Sequence, residues 1–207
     1  MKPYYQDNAV TIYHGYCREI VPTLGQFDLV LTDPPYGIKR FQNGIGKGDR
    51  MINKADGGFN NDKPDAAELA RIIKTANLSI IWGMNNLPLP LTEHFLVWDK
   101  KQTVDNFASA ELAWCNLPNP AKVFQFAIHK HNHTKEGGHP TEKPISLTKW
   151  CICLAGESVK TILDPYAGSG TTGRAAKDLG RKCVMIEREE KYCEIAANRC
   201  RQEVFDL

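Results

Sequence analysis

Short apolar segments alternate with amphipathic segments along this chain, and that alternation is the feature that most restricts its fold. Residues 27–32 (FDLVLT) are a brief apolar run that ends at Asp-Pro-Pro, which is typical of a buried strand. Residues 65–76 have an acidic start, apolar residues at helical spacing and a basic end, which predicts a helix. The other strand candidates are residues 10–13, 78–82, 95–98, 110–115, 122–128, 161–163 and 182–186, and the other helix candidates are residues 146–155, 173–179 and 189–204. The alternation predicts a layered α/β fold with a mostly parallel sheet.

The composition is that of an ordinary globular protein, and it excludes several classes. The chain has 207 residues with 26 Lys and Arg against 24 Asp and Glu, a formal net charge of +2, which suits a single domain over residues 1–207. No apolar run approaches the roughly 20 residues of a membrane span, and the N-terminal residues lack the apolar core of a signal peptide. The seven cysteines are odd in number and form no Cys-x-x-Cys pair, which disfavours both a disulfide framework and a zinc site. We therefore expect a cytoplasmic protein with no membrane segment and no bound metal.

A glycine-rich turn follows the strand candidate at residues 161–163. It starts at Asp164, and its closely spaced glycines let the backbone approach a ligand at the start of the next helix. No Lys follows Gly170, which disfavours a triphosphate-binding loop, and the Asp164 carboxylate would repel a pyrophosphate. The next strand candidate ends at Glu187, a suitable acceptor for ribose hydroxyls. Together the two acids favour a nucleoside with a positive amino-acid tail, which is S-adenosylmethionine.

A second strand end carries the stiff tetrapeptide Asp33-Pro34-Pro35-Tyr36. Each proline fixes φ and biases the residue before it toward extended backbone. This stiffness would hold the Asp33 carboxylate and the Pro34 carbonyl in fixed directions, with the Tyr36 ring beside them. Two convergent acceptors and a flat ring suit a planar base that bears an amino group. The alternative is a simple Pro-Pro strand stop.

Two polar segments, one basic and one rich in histidine, stand apart from the predicted strands and helices. A basic, glycine-rich loop covers about residues 37–63, and up to Lys54 its local charge is +4. A short variable segment at about residues 116–138 contains alternating histidines. Two interpretations of them stay open, namely side chains that face DNA and a plain solvated loop. No Cys or carboxylate joins them to make a metal site. The DNA-binding candidates are Lys39, Arg40, Lys47, Arg50, His129, Lys130, His131 and His133. Basic side chains there would contact phosphates and position the protein without reading sequence.

Four motifs in a consistent order resemble those of the amino-methylating DNA methyltransferases, which methylate the exocyclic nitrogen of adenine or cytosine. DPPYG at residues 33–37 resembles the catalytic motif of this family, and LDPYAGSGTTGRAA at residues 163–176 resembles its cofactor loop. GRKCVMIERE at residues 180–189 is similar to the strand that carries the ribose-binding acid, and HPTEKP at residues 139–144 to the segment over the methionine end of the cofactor. The catalytic motif comes first, which is the order of the permuted β class. The resemblance implies a Rossmann-like sheet of about seven strands, one of them antiparallel.

The same resemblance implies roles for individual residues. Asp33 and the Pro34 carbonyl would accept hydrogen bonds from the target amino group, in a turn stiffened by Pro35. Tyr36 would stack on a base that has left the DNA duplex. The residues that would bind S-adenosylmethionine are Asp164, Tyr166, Gly168, Gly170, Thr171 and Thr172, with Glu187 at the ribose and with Thr141 and Lys143 at the carboxylate.

An Asp at the head of the tetrapeptide tends to mark adenine-N6 enzymes in this family, so we expect a DNA adenine-N6 methyltransferase. Methylation of cytosine N4, of RNA or of a protein glutamine stays open. So does a catalytically silent subunit that binds nucleic acid, because Gly15-Tyr16 stands where many members have Gly-Asp near the cofactor's adenine. Only 23 residues, 116–138, are left for target recognition. We therefore expect a short or relaxed DNA target, read with the possible help of a second subunit in a homodimer.

Overall fold

One sheet of nine strands organises the computed structural model of the chain, which describes residues 1–36, 63–102, 108–127 and 142–202. The strands are β1 (Tyr5–Gln6), β2 (Val10–His14), β3 (Phe27–Thr32), β4 (Ala76–Trp82), β5 (Phe95–Asp99), β6 (Ala110–Cys115), β7 (Lys122–Gln125), β8 (Thr161–Asp164) and β9 (Lys182–Glu187). The helices are α1 (Cys17–Ile20), α2 (Ala66–Ile73), α3 (Ile145–Ala155), α4 (Thr171–Asp178) and α5 (Glu190–Arg201), with a 3₁₀ turn at Val21–Thr23.

The strands lie in the order β1-β2-β9-β8-β3-β4-β6-β5-β7. Strand β1 is antiparallel to β2, and β6 is antiparallel to both β4 and β5, while every other pairing is parallel. The expected Rossmann-like α/β fold is confirmed, although the described sheet has two strands more than the expected seven and a second antiparallel one. All eight strands predicted from the sequence are present, and the ninth, β1, spans two residues, which is too few to show a periodicity.

Helices cover both faces of the sheet, and this explains the unbroken apolar run in β3. Leu29 and Leu31 point into the core cluster that contains α3, α4 and α5 residues. Val30, between them, points the other way, into the cluster formed with α1 and α2. A strand buried on both faces lacks the apolar–polar alternation of a surface strand.

The predicted helices are present with small changes at their ends. Asp65, predicted as the first helical residue, is the N-cap of α2 and accepts a hydrogen bond from the Glu68 N–H at 2.7 Å. Helix α2 ends earlier than predicted because the chain enters β4 at Ala76. Helix α5 ends at Arg201 within the described residues. The short helix α1 was not predicted, since four residues are too few to show a helical period.

The parallel strands β3, β4, β8 and β9 end at one edge of the sheet. Asp33 follows β3, Gly83 follows β4, Asp164 ends β8 and Glu187 ends β9. Because β6 runs in the opposite direction, it begins at this edge and brings Glu111 there. Ligands of open α/β sheets bind at this carboxyl edge.

Candidate active site

The tetrapeptide after β3 forms a small, closely packed turn. Pro34 is buried, and the Tyr36 hydroxyl donates a hydrogen bond to Asp33 Oδ1. The Tyr36 ring packs on Gly83, where a Cβ would lie only 2.1 Å from Tyr36 Cε1. Gly83 has φ +83°, a left-handed backbone that favours glycine. Gly83, which the sequence analysis did not single out, therefore makes the space that the ring occupies.

Lys143 reaches the same turn from the residues that precede α3. Its side chain is only 8% exposed, and its ammonium donates to Asp33 Oδ2 and lies 3.3 Å from the Tyr36 hydroxyl oxygen. Although burial lowers the pKa of Lys143, the neighbouring Asp33, Tyr36 and Glu111 raise it well above its ordinary value. Lys143 is therefore an ammonium ion bound to the Asp33 carboxylate, a contact that the sequence analysis did not foresee.

Glu111 and Lys100 extend this ion pair into a buried network. Lys143 Nζ lies 2.9 Å from Glu111 Oε2, and the Lys100 ammonium donates to Glu111 Oε1. Burial raises the pKa of Asp33 above its ordinary value, Lys143 opposes that shift and Glu111 adds to it. Neither Glu111 nor Lys100 was a candidate, but a charged residue inside the otherwise apolar run of residues 110–115 is a signal that could have found Glu111.

Asp164, which is only 3% exposed, ends β8, the strand next to β3. Asp164 Oδ1 accepts hydrogen bonds from the Thr32 hydroxyl at 2.7 Å and from the Tyr166 N–H at 3.1 Å. Burial is the main reason that its pKa is raised to about 6. Strands β3 and β8 are neighbours, so the Thr32–Asp164 contact joins the two strand-end turns into one site.

Glu187 supports the glycine-rich turn from the end of β9. Its Oε2 accepts the Gly168 N–H at 2.8 Å and its Oε1 accepts the Glu189 N–H at 2.9 Å, while burial raises its pKa. At Gly170, where φ is +81°, a Cβ would lie 2.6 Å from the Ala196 Cβ. The glycine at position 170 thus lets the start of α4 pack on α5, in addition to any approach to a ligand.

Arg199 and Glu142 hold the residues just before α3 against the glycine-rich turn. Arg199 Nη2 lies 2.9 Å from Glu142 Oε1, and Arg199 Nη1 donates to Thr171 Oγ1 at 2.8 Å. The Ser169 hydroxyl donates to Glu142 Oε2 at 2.9 Å. Sequence reasoning missed Arg199, because its partners lie about 30 and 57 positions away in the chain.

Tyr166 connects the glycine-rich turn to the other face of the sheet. Its hydroxyl and the Cys17 thiol both donate to Glu68 Oε1, each at 3.0 Å.

The backbone of Gly15 donates to the Glu187 carbonyl at 2.9 Å, so the Gly15-Tyr16 pair does lie beside the ribose candidate. Tyr16 itself is 49% exposed, and the Arg18 guanidinium lies 5.1 Å from its ring centroid.

The described site residues converge at one edge of the sheet, with the tetrapeptide and Lys143 on one side and the Asp164–Glu187 turn on the other. Outside the described residues lie Lys39, Arg40, Lys47, Arg50, His129, Lys130, His131, His133 and Thr141.

Within residues 1–36, 63–102, 108–127 and 142–202, no three His, Cys, Asp or Glu side chains could share a metal ion, and no helix is long and apolar enough to cross a membrane.

The two carboxyl groups at this edge of the sheet fit S-adenosylmethionine. The Glu187 carboxylate accepts backbone N–H bonds, among them those of Gly168 and Glu189, and its two oxygens offer about four acceptor sites, so it can also accept a ribose hydroxyl. Asp164 places a carboxyl group on the same edge, where a cation is favoured over a phosphate.

Comparisons with known proteins give a consistent picture. The N6/N4 methyltransferase family model, described as DNA methylase, matches residues 97–198. The chain is 30% identical to the type II methyltransferase M.HinfI of Haemophilus influenzae, over 98% of this chain and 71% of that protein. Two solved structures share the fold. The M1.HpyAVI–SAM complex has a TM-score of 0.60 and 21% identity, and the match covers 92% of this chain and 99% of that one. The PvuII cytosine-N4-specific DNA methyltransferase has a TM-score of 0.65 and 15% identity, and the match covers 99% of this chain and 91% of that one.

These matches, together with the paired strand-end turns, agree with the resemblance carried by the four sequence motifs. The match to M.HinfI spans nearly the whole chain, so it includes the tetrapeptide, the glycine-rich turn and the ribose candidate. The chain therefore belongs to the amino-methylating (N6/N4) DNA methyltransferases.

Proposed function

We propose that this DNA methyltransferase transfers the methyl group of S-adenosyl-L-methionine to the exocyclic N6 of adenine. The observation that carries the proposal is the junction between β3 and β8. There the Asp33 turn adjoins the Asp164 turn through the Thr32–Asp164 hydrogen bond of 2.7 Å. A methyl donor and a target amine bound at the two turns would therefore be neighbours.

Asp33 would activate the target amine. An aryl amine is a poor nucleophile because its lone pair is delocalised into the ring, and two in-line acceptors favour a pyramidal nitrogen that can attack. Asp33 and the Pro34 carbonyl would be these acceptors. Each oxygen of the Asp33 carboxylate is bound once, by Tyr36 or by Lys143, so a target amine that approaches Asp33 would take the place of one of these donors.

The cofactor is S-adenosyl-L-methionine, which supplies an electrophilic methyl group on a sulfonium. We propose that Asp164, Tyr166, Gly168, Gly170, Thr171 and Thr172 bind it, with Glu187 at its ribose and with Thr141 and Lys143 at its carboxylate. The Arg199–Glu142 contact supports this assignment, because it ties residues next to Lys143 to the glycine-rich turn.

We further propose that the target base leaves the duplex and stacks on Tyr36, since an exocyclic amine inside the stack could not reach Asp33. The basic loop of residues 37–63 and the segment of residues 116–138 would contact a short or relaxed target, with a homodimer as the candidate assembly. M.HinfI is a type II methyltransferase, which supports a restriction-modification role for this chain. The catalytic motif precedes the cofactor loop in the sequence, which supports the permuted β class.

A transfer assay tests the proposal. S-adenosylmethionine with a labelled methyl group is offered to DNA, RNA and protein in parallel, with Asp33→Asn as the variant that removes the charged acceptor. We expect label in DNA with the parent enzyme and essentially none with Asp33→Asn, while binding of the cofactor by that variant is retained. Label in RNA or in protein glutamine, or no transfer to any acceptor, would refute the proposal; the last result would favour a silent subunit.

A further inference from the structure

We propose that Glu111 is a positioning residue for methyl transfer: it keeps Lys143 paired while the Asp33 carboxylate exchanges Lys143 for the target amine. This inference rests on the proposed function, because it concerns the step at which Asp33 receives that amine. It assigns a role to an acid that lies on β6, far in sequence from every motif of the family.

The first support is the position of Lys143 between two carboxylates. Its ammonium donates to Asp33 Oδ2 and lies 2.9 Å from Glu111 Oε2. The Lys143 side chain is almost completely buried, whereas the side chains of Asp33 and Glu111 are each 22% exposed. Lys143 can therefore shift its contact from one acid to the other without crossing into solvent.

The second support is the cost of the exchange without Glu111. A buried ammonium that loses the protein carboxylate paired with it is strongly disfavoured. Lys143 would then stay on Asp33 and compete with the target amine for the same oxygen. With Glu111 present, the ammonium keeps one ion pair throughout the exchange.

The third support is that Glu111 is itself held in place. Lys100, which follows β5, donates to Glu111 Oε1, so the second oxygen of Glu111 is left directed at Lys143. The backbone N–H of Lys100 donates to the Ser109 carbonyl at 2.9 Å, which holds the chain after β5 beside the start of β6. Glu111 thus accepts a hydrogen bond on one oxygen and forms an ion pair through the other.

The charges around Asp33 set the direction of the test. Asp33 is faced by Tyr36 from its own turn, Lys143 from the segment before α3, Glu111 from β6 and Asp164 from β8. Loss of the Glu111 charge removes a repelling carboxylate and leaves Lys143 to Asp33 alone. Both changes stabilise the ionised Asp33 carboxylate, so its pKa should fall.

The experiment compares Glu111→Gln with Glu157→Gln, which makes the same chemical change at an exposed acid 3.8 Å from Arg181. The pKa of Asp33 is followed by NMR titration of its carboxyl carbon, assigned from the Asp33→Asn spectrum, and kcat is followed against pH. For Glu111→Gln we expect a lower Asp33 pKa, an acidic limb of kcat moved to lower pH, and a plateau kcat reduced by about tenfold to a hundredfold, the effect of a misplaced reacting group. Glu157→Gln should match the parent in all three.

An unchanged Asp33 titration or an unchanged plateau kcat in Glu111→Gln would overturn the inference. If Glu111→Gln does not fold, Lys100→Met replaces it: a freed Glu111 should draw Lys143 away from Asp33, so the Asp33 pKa should rise, and a fall or no change would overturn the inference. A parent enzyme that transfers no methyl group would refute the proposed function. The titration, which needs no turnover, would still show whether Glu111 governs the Asp33–Lys143 pair.

Discussion

Gly83→Ala is the substitution whose effect follows most directly from the geometry of the Asp33–Tyr36 turn. The new Cβ would lie 2.1 Å from Tyr36 Cε1 and 2.5 Å from Tyr36 Cδ1, well inside contact distance. It would also place a side chain at φ +83°, which costs about 1–2 kcal/mol. Relief of the clash requires the Tyr36 ring to move and to lose its hydrogen bond to Asp33, which adds about 1–3 kcal/mol.

A double-mutant cycle separates these two costs. The free energy of unfolding is measured by urea denaturation for the parent, Gly83→Ala, Tyr36→Ala and the double variant. We expect Gly83→Ala to cost about 2–5 kcal/mol with Tyr36 present but only about 1–2 kcal/mol without it, because only backbone strain remains. A coupling energy of about 1–3 kcal/mol is expected.

The same cycle also yields a kinetic result. Because the Tyr36 hydroxyl is a hydrogen-bond donor to Asp33, Gly83→Ala should lower kcat in the parent background and change it little in the Tyr36→Ala background. Unfolding energies that add to within about 0.5 kcal/mol would refute the packing of Tyr36 on Gly83.

Three further predictions concern the cofactor turn and the cysteines. The pKa of Asp164 is about 6 in the fold against 3.8 unfolded, so ionised Asp164 destabilises the cofactor-free protein above pH 6 by about 2–3 kcal/mol. This cost vanishes as the pH falls toward 3.8. Asp164→Asn should therefore raise the urea midpoint at pH 8 but not at pH 3.5, and it should abolish cofactor binding. Equal midpoint shifts at both pH values would contradict the buried charge. A lysine at position 199 cannot reach both Glu142 and Thr171. Calorimetry should therefore show that Arg199→Lys binds S-adenosylmethionine about tenfold more weakly, a loss of about 1.4 kcal/mol in binding free energy. The exposed control variant Arg201→Lys should bind the cofactor normally. Of the seven cysteines, all within the described residues, only Cys153 is exposed, so Ellman's reagent should modify one thiol of the native protein quickly and none of Cys153→Ser; fast modification of a second thiol would contradict the packing.

The strands and the strand-end turns could be predicted from the sequence because their signals are local. The apolar run of residues 27–32 and the prolines after it lie within ten residues, and β3 has the predicted bounds. The carboxyl ends of parallel strands lie at one edge of a sheet, so a mostly parallel sheet places both turns at that edge, whereas the pairing of β3 with β8 is seen only in the structure.

The ion network could not be predicted, because it depends on contacts between distant segments. Lys143 is 110 positions from Asp33, and Glu111 reaches both because β6 runs antiparallel to β4. No periodicity in a short apolar run reveals the direction of a strand. The resemblance implied that Lys143 binds the cofactor's carboxylate, and its present bond to Asp33 adds a partner that the motif alone does not reveal.

Gly83 shows a second limit of sequence reasoning. A glycine is required at position 83 by the positive φ and by the ring of Tyr36, a residue that follows β3 and lies about 47 positions earlier in the chain. From the sequence alone, this glycine cannot be distinguished from an ordinary turn residue. The reason for it appears only when β3 and β4 are paired.

The identity of the methylated base tests the central claim most directly. DNA that lacks prior methylation is incubated with the enzyme and S-adenosylmethionine, digested to nucleosides and analysed by mass spectrometry against authentic standards. Transfer to adenine N6, directed by Asp33, predicts N6-methyladenine as the product, and its loss in Asp33→Asn. N4-methylcytosine as the product, or N6-methyladenine formed equally well by Asp33→Asn, would contradict the account.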